Sequence, residues 1–392
     1  MRARDHGIVL GRLQPGPLNA ITDVAGVRVG HTTLIRGEGP RVVGEGPVRT
    51  GVTVVIPHDG DPFLEPLFAG CHRLNGNGEL TGLEWVRESG LLTSPIAITN
   101  THSVGVVHDA LLAHAVRAHG AYADFWSLPV VGETYDGVLN DMNGFHVRPE
   151  HLDAALETAT GGPVAEGAVG GGTGMICHEF KGGIGTASRV VPVEAGGFTV
   201  GALVQANYGS RELLRIDGVP IGEAIPTSVV PSPWDAAETL ARARTGGRSG
   251  AREPGSGSII VVLATDAPLL PHQCERLAQR AGLGIARMGG IASTGSGDIF
   301  IAFATGNRGL PGPAAEPEPA ARIVHDLRML DDARITRLFQ AAVEAVEEAI
   351  VNALLVAETM TGADGITAHS LDGARVVEIM ARYGRGPKAP SA

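Results

Sequence analysis

The position with the most chemical promise in this chain is a junction. Residues 241–257, ARARTGGRSGAREPGSG, hold almost no large apolar group and run directly into SIIVVLATD at 258–266. Ser258 therefore stands first in what reads as a strand buried on both faces, with Gly257 before it. A hydroxyl so placed can attack the carbonyl of the preceding residue. The product is an ester that water opens, cutting the chain and leaving the serine with a free α-amine. Gly257 suits this because it leaves the carbonyl exposed and accepts bent backbone. An α-amine has an ordinary pKa of ~7.7–8.0, so it serves as a base near neutral pH and activates the weak hydroxyl beside it. On these residues alone, a loop entering a core strand is the simpler account.

Other groups have similar double readings. STGSGDIF places Ser296 and Asp298 two residues apart at the entry to a strand, and in extended backbone both point to one side. There a hydroxyl and a carboxylate can orient or relay a proton, or form an ordinary turn with a satisfied Asp. Asn207, in VQANYG, ends an apolar run; its amide N–H can stabilise an oxyanion, and Asn before an aromatic and Gly is also common turn chemistry. GETYDG carries Glu133, a carboxylate able to take an ammonium through a charge-assisted bond, and Tyr135, able to donate or to shape a pocket. VGGGTGM (169–175) lacks the phosphate-loop spacing and its Lys-Ser/Thr ending, and reads as a backbone turn near the site. The 14 histidines are scattered without an HExxH pair, so no metal is expected. Nothing found requires a cofactor.

These groups need a scaffold. Runs at 27–35, 50–57, 94–100, 198–208, 258–266 and 299–307 have strand composition and turn residues at their ends. Helices are predicted at 78–90, at 104–120 with Ser103 as N-cap, at 271–287, and at 335–360, where Ile335, Leu338, Phe339, Ala342, Val343, Val346 and Ile350 keep helical spacing. Segments 241–257 and 309–321 read as solvated connections. The mixture implies an α/β or α+β sandwich. With 392 residues, 43% hydrophobic, the chain can bury a large core, and its 56 glycines fall in short clusters between apolar runs.

A net charge of −11 with no basic stripe argues against a nucleic-acid partner. Cys71, Cys177 and Cys274 are far apart without CxxC spacing, as in a reduced, cytoplasmic protein. The start, MRARDHGIVLGRL, lacks a signal-peptide core, and no apolar run has membrane-spanning length. A soluble cytoplasmic protein without membrane contact is the expectation.

Long stretches in one order carry a resemblance: NAITDVAGVRVGHTTL (19–34), GNGELTGLEWVRESG (76–90), ITNTHSVGVVHDA (98–110), VVGETYDGVLNDMN (130–143), VGGGTGMICHEFKGGIGTASR (169–189), SIIVVLATDAPL (258–269), STGSGDIFIAF (293–303) and EEAIVNALLVAETMTG (347–362). On these the chain resembles the L-aminopeptidase D-alanine esterase/amidases and β-peptidyl aminopeptidases, self-processing serine enzymes of the N-terminal-nucleophile type. The resemblance implies a four-layer αββα sandwich, one domain over 1–392, cut into an α chain 1–257 and a β chain 258–392. It implies Ser258 as nucleophile, Ser296 and Asp298 in a proton relay, Asn207 at the oxyanion and Glu133, with Tyr135, at the substrate. Some relatives carry Glu where this chain has the shorter Asp298. The implied substrate is a small peptide, amino-acid amide or ester with an L-, D-alanyl or β-residue, and the implied assembly a homo-oligomer, a tetramer. An acyltransferase of related fold is an alternative, but that group uses threonine where this chain has Ser258; a catalytically silent scaffold is another.

Overall fold

The computed structural model describes residues 1–119, 125–245, 255–312 and 324–387. Its strands are β1 (Arg28–Arg36), β2 (Val48–Ile56), β3 (Leu67–Gly76), β4 (Leu91–Leu92), β5 (Ile96–Asn100), β6 (Val130–Thr134), β7 (Ile176–Cys177), β8 (Phe180–Lys181), β9 (Gly183–Val190), β10 (Thr199–Gly209), β11 (Gly255–Thr265), β12 (Gly297–Ala304) and the short pair β13 (Met360–Thr361) and β14 (Thr367–Ala368). The helices are α1 (Leu83–Ser89), α2 (Val104–His119), α3 (Pro149–Glu157), α4 (Ile221–Ala224), α5 (Pro233–Thr245), α6 (Pro271–Gln279), α7 (Ala281–Arg287), α8 (Thr336–Val356) and α9 (Gly373–Arg382).

Two sheets form, one in the order β1-β2-β5-β6 and one in the order β4-β3-β12-β11-β10-β9. The apolar residues sort into three layers of core, which fixes four layers of structure. Val52, Val54, Ala97 and Val131 pack outward against Val107 and Leu111 of α2 and Leu152 of α3. Val29, Val55, Ile96 and Ile98 face Leu203, Ile260, Val262, Ile299 and Ile301 across the gap between the sheets. Ile259, Val261, Leu263, Phe300 and Ala302 turn the other way, onto α6, α7 and α8. Alternation along β11 thus sends odd residues to the helices and even ones between the sheets, the period-2 rule with both faces apolar. The arrangement is the expected αββα sandwich.

Several boundaries differ from the sequence reading. Residues 241–245 end helix α5, and residues 255–257 already belong to β11, so both ends of the supposed linker are ordered elements; 246–254 lie outside the described residues, as does most of 309–321. Strand character before Ser258 escaped notice because it is made of Gly and Ser, which have no strand propensity and pair here by virtue of their neighbours. The helix expected at 271–287 breaks at Arg280 into α6 and α7. Ser103 does not cap α2; Thr101–Ser103 form a 3-10 turn that leads into it. The helix expected at 78–90 begins only at Leu83, because Leu80 bridges to Gly132 instead.

Helix α8 is buried from Ala341 to Leu355 and lies on β9 and β10. Its closest approach is at Gly185, where a Cβ would sit 1.9 Å from the Ala349 carbonyl oxygen. Arg189 of β9 meets Glu348 of α8 at 2.5 Å with both side chains fully buried, and Arg4 reaches the same carboxylate at 2.8 Å. Gly185→Ala is expected to destabilise the fold by about 1–3 kcal/mol or more, since backbone rather than a flexible side chain would have to move; a thermal melt that leaves Tm unchanged would contradict this packing.

Candidate active site

Strand β11 delivers Ser258. Asn207 of β10 is its antiparallel partner, and the next registered pair is Gly209 with Gly255. Two residues of β11, Ser256 and Gly257, therefore oppose the single residue Tyr208, a β-bulge directly before Ser258. The bulge brings the strands so close that a Cβ on Gly257 would lie 1.8 Å from the Asn207 carbonyl oxygen. Gly255 has φ +88°, a region that favours glycine. On the other side, Gly297 of β12 is the parallel partner of Ser258 and donates its N–H to Ser258 Oγ at 3.2 Å. Ser258 is buried, in step with Ile260 and Val262, so its side chain opens at the end of the gap between the sheets.

Ser296 and Asp298 flank Gly297, and Ser296 Oγ donates to Asp298 Oδ1 at 2.6 Å. The two side chains do share one side, as the sequence suggested. Burial raises the Asp298 carboxyl to about 6, against the opposing pull of the Ser296 hydroxyl and the Ile259 N–H. The turn carrying them is held by the residue directly after β3: Asn77 Nδ2 donates to the Gly295 carbonyl at 2.8 Å and the Asn77 N–H to the Ser296 carbonyl at 3.2 Å. The link between this pair and Ser258 Oγ is the Gly297 N–H that lies between them.

The Asn207 side chain is fixed at both ends. Its Oδ1 accepts from the Ile176 N–H at 2.8 Å and its Nδ2 donates to the Tyr135 carbonyl at 3.0 Å. Glu133 is the penultimate residue of β6, buried, with Oε1 accepting from the Glu79 N–H at 3.0 Å and Oε2 accepting from the Thr101 hydroxyl. Gly78 separates it from the catalytic strand pair: a Cβ there would lie 3.2 Å from Glu133 Oε1 and 3.0 Å from the Gly297 Cα. The structure thus brings Ser258, Asn207, Ser296, Asp298 and Gly257 to one end of the larger sheet, with Glu133 against it. The Tyr135 backbone belongs to this group, and its side chain lines the neighbouring cavity beside Val138 and Trp234.

Three supports escaped the sequence reading. Thr101 lies in TNTHS, a segment that offered no assignable role. Lys181 is fully buried, and its ammonium donates to the carbonyls of Met175 at 2.9 Å and Gly182 at 2.7 Å, with Gly172 at 3.4 Å. Burial lowers its pKa to about 7. It ties down the glycine turn 170–175, which passes between the sheets and ends on the Ile176 N–H that orients Asn207. Asp136 is also fully buried beside Gly174, and desolvation raises its carboxyl to about 7. A lone Lys or Asp in a glycine-rich run carries no signal of burial; only the partner carbonyls, distant in the fold, do. Cys71, Cys177 and Cys274 are all buried and unpaired, and among the described residues no helix is long and apolar enough to cross a membrane.

The Asp298 shift has a thermodynamic consequence. Its folded pKa of about 6 lies above the ordinary carboxylate value of 3.8, so between those pH values the folded chain binds more protons than the unfolded one. The contribution of Asp298 to stability is then fully present below pH ~4 and lost as pH rises through about 6. Asp298→Asn removes that loss, on the order of 3 kcal/mol for a shift of this size. Its Tm is expected to exceed that of the parent at pH 8 and not at pH 4. Parallel Tm-against-pH curves for the two proteins would contradict the burial argument.

Comparison with known proteins agrees with this geometry. The family model described as peptidase family S58 matches residues 19–368. A β-peptidyl aminopeptidase, BapA, from Sphingosinicella microcystinivorans is 49% identical over 386 residues, covering 98% of this chain and 93% of that protein. The structure of a Burkholderia sp. β-aminopeptidase superposes with TM-score 0.87 at 52% identity, over 98% of this chain and 99% of that one. That of the L-aminopeptidase D-Ala-esterase/amidase from Ochrobactrum anthropi, described as a prototype for the serine aminopeptidases and a new variant among the Ntn hydrolase fold, superposes with TM-score 0.84 at 44% identity, again over 98% and 99%. With matches of this strength along nearly its whole length, the chain belongs to peptidase family S58 and is a serine aminopeptidase.

Proposed function

We propose that the chain cuts itself between Gly257 and Ser258 and then removes N-terminal residues through an acyl-Ser258 intermediate. The observation that carries this is the β-bulge at Ser256–Gly257. It places a glycine peptide outside the strand register directly before a buried serine, whose Oγ accepts from the Gly297 N–H at 3.2 Å. Attack of Oγ on the Gly257 carbonyl carbon forms the C–O bond, and breaking C–N passes the Ser258 nitrogen a proton and frees it as an amine. Water hydrolyses the ester, leaving Gly257 as a carboxylate and Ser258 with both hydroxyl and amine.

In the mature enzyme the Ser258 amine takes the hydroxyl proton as Oγ attacks a substrate carbonyl. Asn207 stands directly across from Ser258 and has used one of its two Nδ2 protons on the Tyr135 carbonyl; the other is the donor for the oxyanion. The substrate ammonium sits at Glu133, whose burial strengthens the charge-assisted bond. The Ser296–Asp298 pair orients the amine and returns its proton to the leaving group. Water then releases the acid from Ser258. Identity of 49% and 52% to proteins named for β-peptides, against 44% to the L-aminopeptidase, makes an N-terminal β-residue the first substrate to test. The same reading has the protein as a cytoplasmic homo-tetramer.

Processing is checked by mass. Denatured protein is expected to separate into chains 1–257 and 258–392, the smaller beginning Ser-Ile-Ile, and Ser258→Ala to remain whole and inactive. An intact chain that hydrolyses aminoacyl p-nitroanilides would refute the mechanism, and a Ser258→Ala protein that is still cut would assign the nick to another protease. Glu133→Gln is expected to lower kcat/KM on free-amine substrates by about ten-fold or more, a charged hydrogen bond contributing roughly 1.5–3 kcal/mol. Self-cleavage should be less affected, because the uncut chain presents no ammonium there. Unchanged kinetics would remove Glu133 from the site.

A further inference from the structure

The site has two sides. Strand order in the larger sheet is β3-β12-β11-β10, with Ser258 on β11. Glu133 approaches from the β3–β12 side, where Gly78 separates it from Gly297. The Tyr135 carbonyl meets Asn207 on β10, the opposite side. Neighbouring strands are about 4.8 Å apart, so the two flanks are separated by roughly two strand spacings, with the nucleophile between them. A substrate whose amine is held at Glu133 and whose acyl carbon is at Ser258 extends its leaving group toward the Tyr135 flank.

That flank holds a cavity of about 330 Å³. Its walls are apolar: the Tyr135 ring, Val138, Trp234, Leu240 and Ile366. Charged groups, Arg41, Arg244 and Asp364, also line it. The Tyr135 hydroxyl end packs on Gly137, where a Cβ would lie 2.6 Å from the phenol oxygen. The Gly137 carbonyl accepts from Arg41 Nη2 at 2.7 Å. The Tyr135 side chain therefore runs from the backbone that holds the Asn207 amide to Gly137, whose carbonyl binds the Arg41 guanidinium. Arg244 of α5 joins Arg41 there, and both bind one carboxylate: Asp364 Oδ1 is 2.7 Å from Arg244 Nη2, and Oδ2 is 3.8 Å from Arg41 Nε. Among the described residues, two guanidiniums against one carboxylate leave a net positive charge in an otherwise apolar cavity. Arg244 is 56% exposed at its side chain, so an incoming anion can reach it.

The geometry points to a leaving-group subsite for a free C-terminal amino acid with an apolar side chain: the side chain lies against Trp234 and Leu240, and the α-carboxylate pairs with Arg244 and Arg41. This rests on the aminopeptidase reading with the amine at Glu133. It makes short peptides with a free carboxylate, dipeptides above all, the preferred substrates over their C-terminal amides.

The test compares a dipeptide ending in phenylalanine with the same dipeptide as its C-terminal amide, behind the N-terminal residue that a p-nitroanilide screen selects. The wild-type processed enzyme is expected to favour the acid in kcat/KM by about five-fold, the factor that a partly exposed ion pair supplies. The preference should shrink toward one as salt is raised to about 0.5 M, where screening is strong. Arg244→Gln should bring the acid-to-amide ratio close to one. Asp364→Asn should raise it, because it releases both guanidiniums, and Asn tolerates the φ of 62° at this position. A ratio at or below one in the wild type overturns the subsite, as does a preference that neither salt nor Arg244→Gln alters. If Arg244→Gln gives no active enzyme, the wild-type salt series decides alone. Failure to hydrolyse any p-nitroanilide would instead sink the aminopeptidase reading beneath it, so the two failures are distinguishable.

Discussion

The close approach of β10 and β11 at Gly257 is the constraint on which the site depends. With the Asn207 carbonyl 1.8 Å from the place of a Cβ, no side chain fits at 257 unless the strands part. If they part, Asn207 no longer faces Ser258, and the bulge directly before Ser258 is lost. Gly297 imposes the same condition on the other side: its Cβ would collide with the Asn77 carbonyl oxygen at 2.5 Å. Ser258 is thus held between two glycine contacts, and what they fix is backbone geometry. Side-chain identity at Asn207 and Asp298 then acts on a peptide whose position is already determined.

The layering would hold the chain together after the cut proposed between Gly257 and Ser258. β11 and β12, from the second half, lie between β10 and β3, from the first half, and every residue of both strands is buried. Separating 1–257 from 258–392 would strip hydrogen bonds from both flanks of this pair and expose two apolar cores at once. Buried charge ties the same halves together. Glu348 in the second half takes Arg189 and Arg4 from the first, and the Ala3 N–H donates to Asn352 Oδ1 at 2.9 Å. A lone carboxylate left at this depth would cost several kcal/mol, so the fold penalises dissociation far more than it penalises a single missing peptide bond.

How legible this was in the sequence depended on the kind of force involved. Long apolar runs such as SIIVVL and IFIAF identify themselves, since burial on both faces leaves no alternation to misread, and the periodicity of α8 is plain over Thr336–Val356. β3, LFAGCHRLNG, went unnoticed because only its first half is buried and its end is polar. Yet that end supplies Asn75, and Asn77 follows directly after it; both hold the turn before Ser296. β6 was too short to stand out from the VVGETYDG motif it carries. The residue types of the site were legible as a set through family resemblance. Their relations were not: no spacing rule reveals that Gly297 rather than Ser296 touches Ser258, or that the Tyr135 side chain lines the neighbouring cavity while its carbonyl holds Asn207.

What the missed residues share is burial of polar groups whose partners are backbone atoms. Lys181 sits where water cannot solvate its ammonium, and the structure compensates with carbonyl oxygens of Met175, Gly182 and Gly172. Those carbonyls are available because glycines let the chain turn between two sheets, and the turn ends on the N–H that orients Asn207. The unusual glycine content and the buried charges are therefore two aspects of one arrangement. Glycine permits the backbone to pass where side chains would collide. Backbone so placed presents polar atoms that charged side chains must satisfy. Asp298 belongs to the same arrangement from the acid side, its carboxyl raised to about 6 by burial that only Ser296 and the Ile259 N–H oppose. A group costly to bury in its charged form changes protonation readily, and the proposed mechanism uses that property for proton transfer at Ser258. Stability is given up at the position to which that mechanism assigns a group that both holds and releases a proton.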